Sequence, residues 1–284
     1  MRVGFIGVGK MGSPMALRLA GAGHDVMIHD QSQEALAALA GTKGITVAPT
    51  ASDAVRDVDM TITMLPDGKA VRAVADALAG ALPKGSVLVD MSTSFPIETT
   101  DLGAALPDGV DMVDAPVSGG VWRAEIGTLT IMAGGRPEVL DRVEDALSAM
   151  GNVVRTGDLG SGHAMKLLNN YLSASGLAAA CEAVRVGRAF GLDPDVMADV
   201  FNGSTGKNNA TEVKLKQHVN NEAYASGFTM GLMAKDLTLG RQLAADLGVT
   251  ARGLDTMQEL YAKARDTLGS DSDHTEVMKL LQQD

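Results

Sequence analysis

The first half of the chain alternates short apolar runs with longer segments of helical periodicity. Candidate strands are the apolar runs at 3–6, 25–29, 45–48, 60–65, 86–91, 112–116, 129–133 and 153–156. Candidate helices between them include 14–22, 33–40, 69–79 and 137–149, where apolar residues recur every three to four positions. This regular alternation of strand and helix predicts an α/β fold built on a doubly wound parallel sheet.

Particular residue types mark the predicted starts of several helices. Pro14 and Pro137 suit a first helical position, because the N–H group that proline lacks would have no partner there. Ser32 and Ser52 suit N-caps, because a hydroxyl oxygen can accept a hydrogen bond from an N–H group of the first turn. The four residues therefore agree with the helices that periodicity predicts.

The pattern changes after the glycine-rich segment 157–162. Residues 163–189 predict one long helix, which the sequence around Gly191 and Pro194 ends. Further helical patterns follow at 194–201, 210–219, 232–247 and 252–268, with a short one near the end. No segment of this half has a convincing strand pattern. We therefore predict two domains, an α/β domain over residues 1–160 and an all-helical domain over residues 161–284.

The composition indicates a folded, acidic chain. Hydrophobic residues make up 45% and charged residues 21% of the 284 residues. The formal net charge of -11 disfavours nucleic acid as a partner, because phosphate backbones need a basic face. The single cysteine, Cys181, allows no disulfide within the chain, and no apolar run is long enough to span a membrane. We expect a cytoplasmic protein with neither nucleic acid nor membrane as partner.

A glycine motif follows the first predicted strand. Gly7, Gly9 and Gly12 form G-x-G-x-x-G, with Lys10 and Met11 between the second and third glycine. The three glycines would permit a tight turn, the close approach of a pyrophosphate and close packing of helix on sheet. The alternative is an ordinary strand–helix turn, but the strand before the motif and the helix after it favour a dinucleotide. A Rossmann-type domain with a nicotinamide cofactor is the prediction, and FAD is an alternative.

The residues after the second predicted strand bear on the choice of cofactor. Asp30 ends that strand, where its carboxylate would accept hydrogen bonds from the adenosine ribose hydroxyls. Its negative charge would repel a 2′-phosphate, and neither Gln31 nor Ser32 offers a positive charge to attract one. We therefore expect NAD rather than NADP, with Asp30 and Gln31 beside the ribose.

A turn rich in polar donors follows a later predicted strand. Segment 114–120 ends in Ser118, Gly119 and Gly120. The exposed N–H groups and the hydroxyl of such a turn suit a carboxylate, and ligands bind at the carboxyl ends of strands in open parallel sheets. A plain turn capped by serine has the same residue types, so the spacing alone leaves both interpretations open.

Two helical segments carry lysine beside other polar residues. Lys166 and Asn170 are four residues apart and share one face of the long helix. The same helix has an apolar stripe on a different face, at Met165, Leu168 and Leu172. A solvated surface pair is the ordinary interpretation of a lone lysine on a helix. Lys235 and Asp236 lie in a later helical pattern, where a surface ion pair is the ordinary interpretation.

Taken together, these segments resemble the β-hydroxyacid dehydrogenase family, whose members are similar to 6-phosphogluconate dehydrogenase. The matching segments run nearly from end to end of the chain, at 7–12, 64–66, 90–93, 114–120, 127–135, 166–170 and 235–237. The resemblance implies a nicotinamide-dependent oxidoreductase that acts on the CH–OH group of a small 3-hydroxy acid of the 3-hydroxyisobutyrate type.

The resemblance also implies a role for each matching residue. Lys166 would be the catalytic acid/base, and Asn170 would help to orient the substrate. Ser118, Gly119 and Gly120 would hold the substrate carboxylate. The cofactor would be lined by the glycine motif and by Met64, Leu65, Pro66, Thr93 and Lys235.

The chemistry of alcohol oxidation agrees with a lysine in that role. As the hydride leaves, a neutral amine can accept the hydroxyl proton. The ordinary lysine pKa of about 10.4 would have to be lowered, and burial near a cationic nicotinamide would lower it. Arginine could not replace Lys166, because a guanidinium does not release its proton. The histidines lack ligand spacing, so we expect no metal.

Several points of function have more than one candidate. A semialdehyde reductase of the same family, acting on tartronate or succinate semialdehyde, would use the same residues in the opposite direction. A catalytically silent NAD-binding module is a further alternative, which the presence of Lys166 and Asn170 disfavours. Trp122 follows the carboxylate turn, where it would narrow the substrate pocket, touch the nicotinamide or pack at the domain junction. Relatives associate through the helical domain, which implies a homodimer or homotetramer.

Overall fold

The computed structural model describes residues 1–282. Contacts within the chain divide it into two compact units, Met1–Lys166 and Leu167–Asp284. The first unit contains the sheet, and the second is built from helices among its described residues.

The first unit is organised around one nine-stranded sheet. Its strands are β1 Arg2–Ile6, β2 Asp25–His29, β3 Ile45–Val47, β4 Met60–Thr63, β5 Val87–Asp90, β6 Asp111–Asp114, β7 Val117–Ser118, β8 Leu129–Gly134 and β9 Gly151–Gly157. Their order is β3-β2-β1-β4-β5-β6-β8-β7, with β9 beside β8. Strands β1 to β6 are parallel, whereas β8 runs antiparallel to β6. The predicted doubly wound α/β sheet is therefore confirmed, and it gains an antiparallel extension at one edge.

Helices connect the strands of the first unit. They are α1 Gly12–Gly21, α2 Gln33–Leu39, α3 Ala51–Val55, α4 Gly68–Leu78, α5 Pro96–Ala105, α6 Gly120–Glu125 and α7 Pro137–Ser148. Every side chain of β4 and β5 is buried, as expected for central strands that are covered on both faces. Phe5, Ile62 and Val89 belong to the core at this centre, where each fully buried side chain contributes about 1.5–3 kcal/mol.

Two of the four predicted helix starts are wrong in detail. Helix α3 begins at Ala51 and is capped by Thr50, whose hydroxyl accepts from the Asp53 N–H at 3.1 Å, so Ser52 lies inside the first turn. Helix α1 begins at Gly12, so Pro14 is its third residue, where the missing N–H still costs no helical hydrogen bond. The Ser32 cap and the Pro137 start are as predicted.

The second unit consists of helices. They are the main part of α8 Ser161–Phe190, then α9 Pro194–Asn202, a π-helical segment Ala210–Val219, α10 Met230–Asp246, α11 Arg252–Leu268, a 3-10 turn His274–Glu276 and α12 Val277–Leu281. Among the residues described there, β pairing is limited to a single bridge between Thr229 and Asp273. Tyr261 and Met230 lie in the buried core of this unit.

Candidate active site

The glycine motif forms a tight turn between β1 and α1. Gly7 has a φ of 98°, and a Cβ there would lie 2.3 Å from the Met64 carbonyl oxygen. A Cβ at Gly12 would lie 2.0 Å from the Gly7 carbonyl oxygen. A Cβ at Gly9, in contrast, would meet no atom within 4 Å. Packing therefore requires glycine at positions 7 and 12, whereas Gly9 leaves open space that suits the close approach of a pyrophosphate.

Asp30 holds this turn in place from the end of β2. Its Oδ2 accepts the Val8 N–H at 2.7 Å, and its Oδ1 accepts the Ser32 N–H at 2.8 Å. Each carboxylate oxygen keeps a further acceptor position for a ligand hydroxyl. The turn and the ends of β1 and β2 thus present the parts that a dinucleotide requires: open space, backbone N–H groups and a carboxylate.

The other residues predicted to line the cofactor follow the ends of neighbouring parallel strands. Leu65 follows β4, where its side chain would touch a Cβ at Gly7 and its N–H donates to the Ser92 hydroxyl at 2.9 Å. Pro66 comes next in the chain and is exposed, and Thr93 follows β5. Within the motif and beside it, Lys10 and Gln31 are exposed, whereas Met11 is partly buried. Lys235 lies on α10 of the second unit.

The predicted carboxylate turn lies after β7. Ser118 pairs with Thr130 of β8, and Gly119 follows with a φ of 139°. The Arg123 side chain covers Gly119, whereas a Cβ at Gly120 would meet no atom within 4 Å. Trp122 is 65% exposed, so it packs into no core of either unit.

Lys166 and Asn170 lie on a buried face of α8. Lys166 is 7% exposed and Asn170 is 5% exposed, so the interpretation as a solvated surface pair is wrong. The apolar stripe that the sequence shows on another face is instead the exposed one, at Met165, Leu168 and Leu172. The helix therefore buries its polar pair and exposes its stripe, the reverse of an ordinary surface helix.

Asp236 on α10 fixes the orientation of Asn170. The Asn170 amide Nδ2 donates to Asp236 Oδ2 at 2.6 Å, and the Lys235 Nζ lies 3.5 Å from Asp236 Oδ1. Asp236 is buried, so the interpretation of Lys235 and Asp236 as a surface ion pair is also wrong. The Lys235-Asp236 pair is recognisable in the sequence. The hydrogen bond from Asn170 to Asp236, which lies 66 residues away, is seen only in the structure.

A second polar cluster lies within the first unit. Asp90 ends β5, Asp114 ends β6 and His163 lies in the first turn of α8. All three side chains are buried, and the imidazole is within 4 Å of both carboxylates. Burial raises the pKa of Asp114, while His163 and the N–H groups of His163 and Gly160 act in the opposite direction. None of the three is a site residue predicted from the sequence.

Two further features bear on the class of site. In the part of the chain that the structure describes, no group of three or more His, Cys, Asp or Glu side chains is arranged to hold a metal ion. Among residues 1–282, no helix combines the length and apolarity that a membrane crossing needs.

Two family sequence models match the chain in succession. The model of the NAD binding domain of 6-phosphogluconate dehydrogenase matches residues 2–158. The model described as the NAD-binding domain of NADP-dependent 3-hydroxyisobutyrate dehydrogenase matches residues 160–281.

Characterised relatives are similar over most of the chain. A 2-(hydroxymethyl)glutarate dehydrogenase of Eubacterium barkeri is 36% identical over 244 residues, which cover 84% of this chain and 81% of the relative. An NAD-dependent L-serine dehydrogenase of Pseudomonas aeruginosa is 36% identical over 254 residues, which cover 86% of this chain and 85% of the relative.

A solved structure shows the same similarity in three dimensions. The 3-hydroxyisobutyrate dehydrogenase of Mycobacterium tuberculosis, solved with L-serine, superposes with a TM-score of 0.93 at 32% identity, and 99% of each chain is covered. Fold, sequence models and relatives agree, and the chain belongs to the β-hydroxyacid dehydrogenase family as an oxidoreductase of hydroxy acids with an NAD(P)-binding domain.

Proposed function

We propose that this protein oxidises a small 3-hydroxy acid with NAD, and that Lys166 is its acid/base. The observation that carries the proposal is the buried pair of Lys166 and Asn170, one helical turn apart on α8. Burial keeps the amine and the amide together away from bulk water, and an acid/base catalyst must be held in such a defined place beside a group that orients the substrate.

Each residue of the site has a distinct task in the proposed reaction. A bound nicotinamide would supply the acceptor for the hydride that leaves the carbon bearing the hydroxyl group. The neutral amine of Lys166 accepts the hydroxyl proton in the same step, and in the reverse direction the Lys166 ammonium donates it to the carbonyl oxygen. The turn at Ser118, Gly119 and Gly120 holds the substrate carboxylate through N–H and hydroxyl donors.

Asn170 orients the substrate hydroxyl or carboxylate in this proposal. One of its Nδ2 hydrogens is committed to Asp236, and its Oδ1 accepts from the Asn169 amide at 3.2 Å. The amide plane is therefore fixed before substrate binds. Such preorganisation lowers the entropic cost of reaching the transition state.

NAD is the cofactor that the first unit favours. The Asp30 carboxylate stands at the end of β2, where the adenosine ribose of a dinucleotide is expected. Its negative charge repels a 2′-phosphate, and the residues that follow, Gln31 and Ser32, add no positive charge. Preference for NAD is thus proposed, with NADP as the weaker cofactor.

The names of the relatives narrow the substrate class. 3-Hydroxyisobutyrate, L-serine and 2-(hydroxymethyl)glutarate all carry a carboxylate and a hydroxymethyl group on the same carbon, C2. They differ in the further substituent on C2. A site with one acid/base for the primary alcohol and one turn for the carboxylate suits the two groups that these acids share. We therefore propose a 2-substituted 3-hydroxypropionate as substrate, oxidised to a semialdehyde. The same residues would reduce a semialdehyde if the reaction ran backwards.

A substrate panel tests the proposed function. The purified protein is incubated with NAD or NADP and with 3-hydroxyisobutyrate, L-serine, 2-(hydroxymethyl)glutarate or glycerate, and the formation of NADH or NADPH is followed at 340 nm. The matched control is 2-hydroxyisobutyrate, which keeps the carboxylate and lacks the primary alcohol. Turnover of one panel acid with NAD and none of the control supports the proposal. Binding of NADH with no turnover of any acid or semialdehyde would support the silent module instead.

We also propose that the protein is a homodimer or homotetramer that associates through α8. Apolar side chains on this helix recur at spacings of three, four or seven residues and fall within about 60° of one another at 3.6 residues per turn. They are Met165, Leu168, Leu172, Ala179, Val186 and Phe190. Leu172 is 69%, Val186 is 71% and Phe190 is 84% exposed. An exposed apolar stripe of this length is unusual on a monomer and is typical of an association face.

A further inference from the structure

The first turn of α8 is held by a carboxylate from another element. Asp114 at the end of β6 accepts the Gly160 N–H at 2.7 Å and the His163 N–H at 2.7 Å. The first N–H groups of a helix have no partner within it, and a negative charge at that end interacts favourably with the helix dipole. Both hydrogen bonds are charge-assisted, and charge-assisted bonds are about twice as strong as neutral ones.

Two glycines make the close approach of this turn possible. A Cβ at Gly162 of α8 would lie 2.2 Å from the Met132 carbonyl oxygen and 2.9 Å from Asp114. A Cβ at Gly134 of β8 would lie 2.4 Å from Asp114 Oδ1. The carboxylate is therefore enclosed by backbone on both sides, which leaves the first turn of α8 little freedom to shift.

His163 connects the same turn to the end of β5. Its Nδ1 lies 3.7 Å from Asp114 Oδ2 and 2.9 Å from the Thr99 hydroxyl, and its Nε2 lies 3.6 Å from Asp90 Oδ2. Asp90 in turn accepts the Ser92 N–H at 3.0 Å and the Ser94 hydroxyl at 2.6 Å. The imidazole thus stands between two carboxylates that belong to adjacent parallel strands.

Each of the three segments that meet here carries a residue of the proposed site. Asp114 precedes Ser118 by four residues, and Asp90 precedes Thr93 by three. His163 precedes Lys166 by three residues, so their side chains leave α8 on neighbouring positions of one face. A shift of the helix turn relative to β6 would move the Lys166 amine relative to the carboxylate turn.

We propose that Asp114 and His163 are positioning residues for Lys166, an inference that rests on the function proposed above. The carboxylate of Asp114 fixes the position of the first turn of α8 relative to the end of β6. His163 fixes the rotation of that turn relative to β5. Neither is proposed to touch substrate or cofactor. Their contribution is the placement of the Lys166 amine, and misplacement of a reacting group by about 1 Å can lower turnover about 100-fold.

The test is Asp114→Asn, which keeps the shape and removes the charge and one acceptor. We expect kcat per folded enzyme to fall about 10- to 100-fold, as misplacement of a reacting group predicts. The hydroxy acid KM and the Kd of NADH, read by fluorescence, should change less than about threefold, because the carboxylate turn and the cofactor turn keep their own contacts. The matched control is Asp111→Asn, the same change at the other end of β6, where the carboxylate pairs with Arg136 and Arg142.

A second pair of variants decides the matter if Asp114→Asn does not fold. His163→Gln keeps a donor and an acceptor between the carboxylates, and His163→Leu removes both. We expect glutamine to restore a large part of the kcat that leucine loses. Wild-type kcat in folded Asp114→Asn or His163→Leu, or an equal loss in Asp111→Asn, would overturn the inference while the proposed function stands. A wild-type protein that turns over no hydroxy acid would overturn both.

Discussion

The three glycines of the first turn have unequal roles, although the sequence motif treats them alike. Gly7 and Gly12 face backbone oxygens at distances that exclude a Cβ, whereas Gly9 faces open space. Alanine substitutions, each of which adds one methyl group, can therefore distinguish the glycines needed for folding from the glycine needed for cofactor binding.

We expect Gly12→Ala to destabilise the fold and Gly9→Ala to leave it intact. A Cβ at position 12 would require the Gly7 carbonyl to move, which costs on the order of 1–3 kcal/mol as overpacking. A Cβ at position 9 meets only space that a pyrophosphate would occupy, so NADH affinity should fall at least about tenfold. Urea unfolding and NADH fluorescence titration measure the two effects. The reverse result, a stable Gly12→Ala and a Gly9→Ala with unchanged affinity, would exclude the pyrophosphate from this turn.

Asp30 gives a second prediction at the scale of one residue. Asp30→Ala removes the acceptor of the ribose hydroxyls and the charge that repels a 2′-phosphate, so the preference for NAD over NADP should fall at least about tenfold. The variant also removes the hydrogen bonds to the Val8 and Ser32 N–H groups, so Asp30→Asn is measured beside it. The kcat/KM ratio for the two cofactors is the readout. An unchanged ratio in both variants would mean that Asp30 does not read the ribose.

At the scale of the element, the π-helical segment carries a buried lysine. Lys214 donates to the Ser173 hydroxyl at 3.1 Å and lies 3.1 Å from the His274 Nε2. Burial lowers the pKa of Lys214 from 10.5 to about 8, although Asp273 acts in the opposite direction. The segment was predicted as a helix over the same residues. Its hydrogen bonds join residues that are five apart, as in a π-helix, and the Asn220 N–H donates to the Leu215 carbonyl at 2.7 Å.

The lowered pKa of Lys214 predicts how stability depends on pH. Between pH 8 and 10.5 the unfolded lysine binds a proton that the folded one does not, so the free energy of unfolding should rise with pH across that window. Burial raises the pKa of Cys181 from 9.0 to about 12, and this thiol acts in the opposite direction above pH 9. The wild type should therefore gain about 1 kcal/mol more than Lys214→Met between pH 7.5 and 9.

Urea unfolding at the two pH values measures this difference. Lys216→Met is the matched control, because Lys216 is exposed on the same segment and its pKa is raised by Asp199, which places its effect above pH 10.5. The control should keep the wild-type pH dependence. A Lys214→Met variant with that same dependence would show that Lys214 is not the titrating group.

The sequence predicted most elements because each one has its own periodicity and end signals. Helix 252–268 matches α11 residue for residue, and β9 is centred on the predicted 153–156. Failures occur where tertiary contacts outweigh local pattern. The two-residue strand β7 is too short to show alternation and exists because β8 pairs with it. Helix α5 was not among the helices named, since Thr99 and Gly103 interrupt its apolar pattern.

The sequence points to the residues of the proposed site but not to the residues that hold them in place. Lys166, Asn170 and the glycine motif stand in recognisable local patterns. Asp236 and His163 act through contacts to residues far away in the sequence, to Asn170 and to Asp90, which no local pattern reveals. The two strong ordinary interpretations, a solvated lysine and a surface ion pair, failed because folding takes the Lys166 side chain out of solvent and buries Asn170 against Asp236.

At the scale of the whole molecule, the exposed stripe of α8 predicts association. Val186→Glu places a charge within the stripe, where burial of an unpaired carboxylate in an interface would cost several kcal/mol. We expect the wild type to be a dimer or tetramer by size-exclusion chromatography with light scattering, and Val186→Glu to shift toward monomer. Glu182→Gln, a change at an exposed charge of the same helix, serves as the control. A wild-type protein that is monomeric at micromolar concentration would contradict the proposal.

The most direct test of the proposed function is the turnover of Lys166→Ala with saturating NAD and the best acid of the panel. Removal of the only amine proposed to accept the hydroxyl proton should lower kcat at least about 100-fold, the usual size of a general-base contribution. The Kd of NADH should stay within about twofold of wild type, because Lys166 is not proposed to hold the cofactor. Nearly full turnover in folded Lys166→Ala would contradict the assignment of Lys166 as the acid/base.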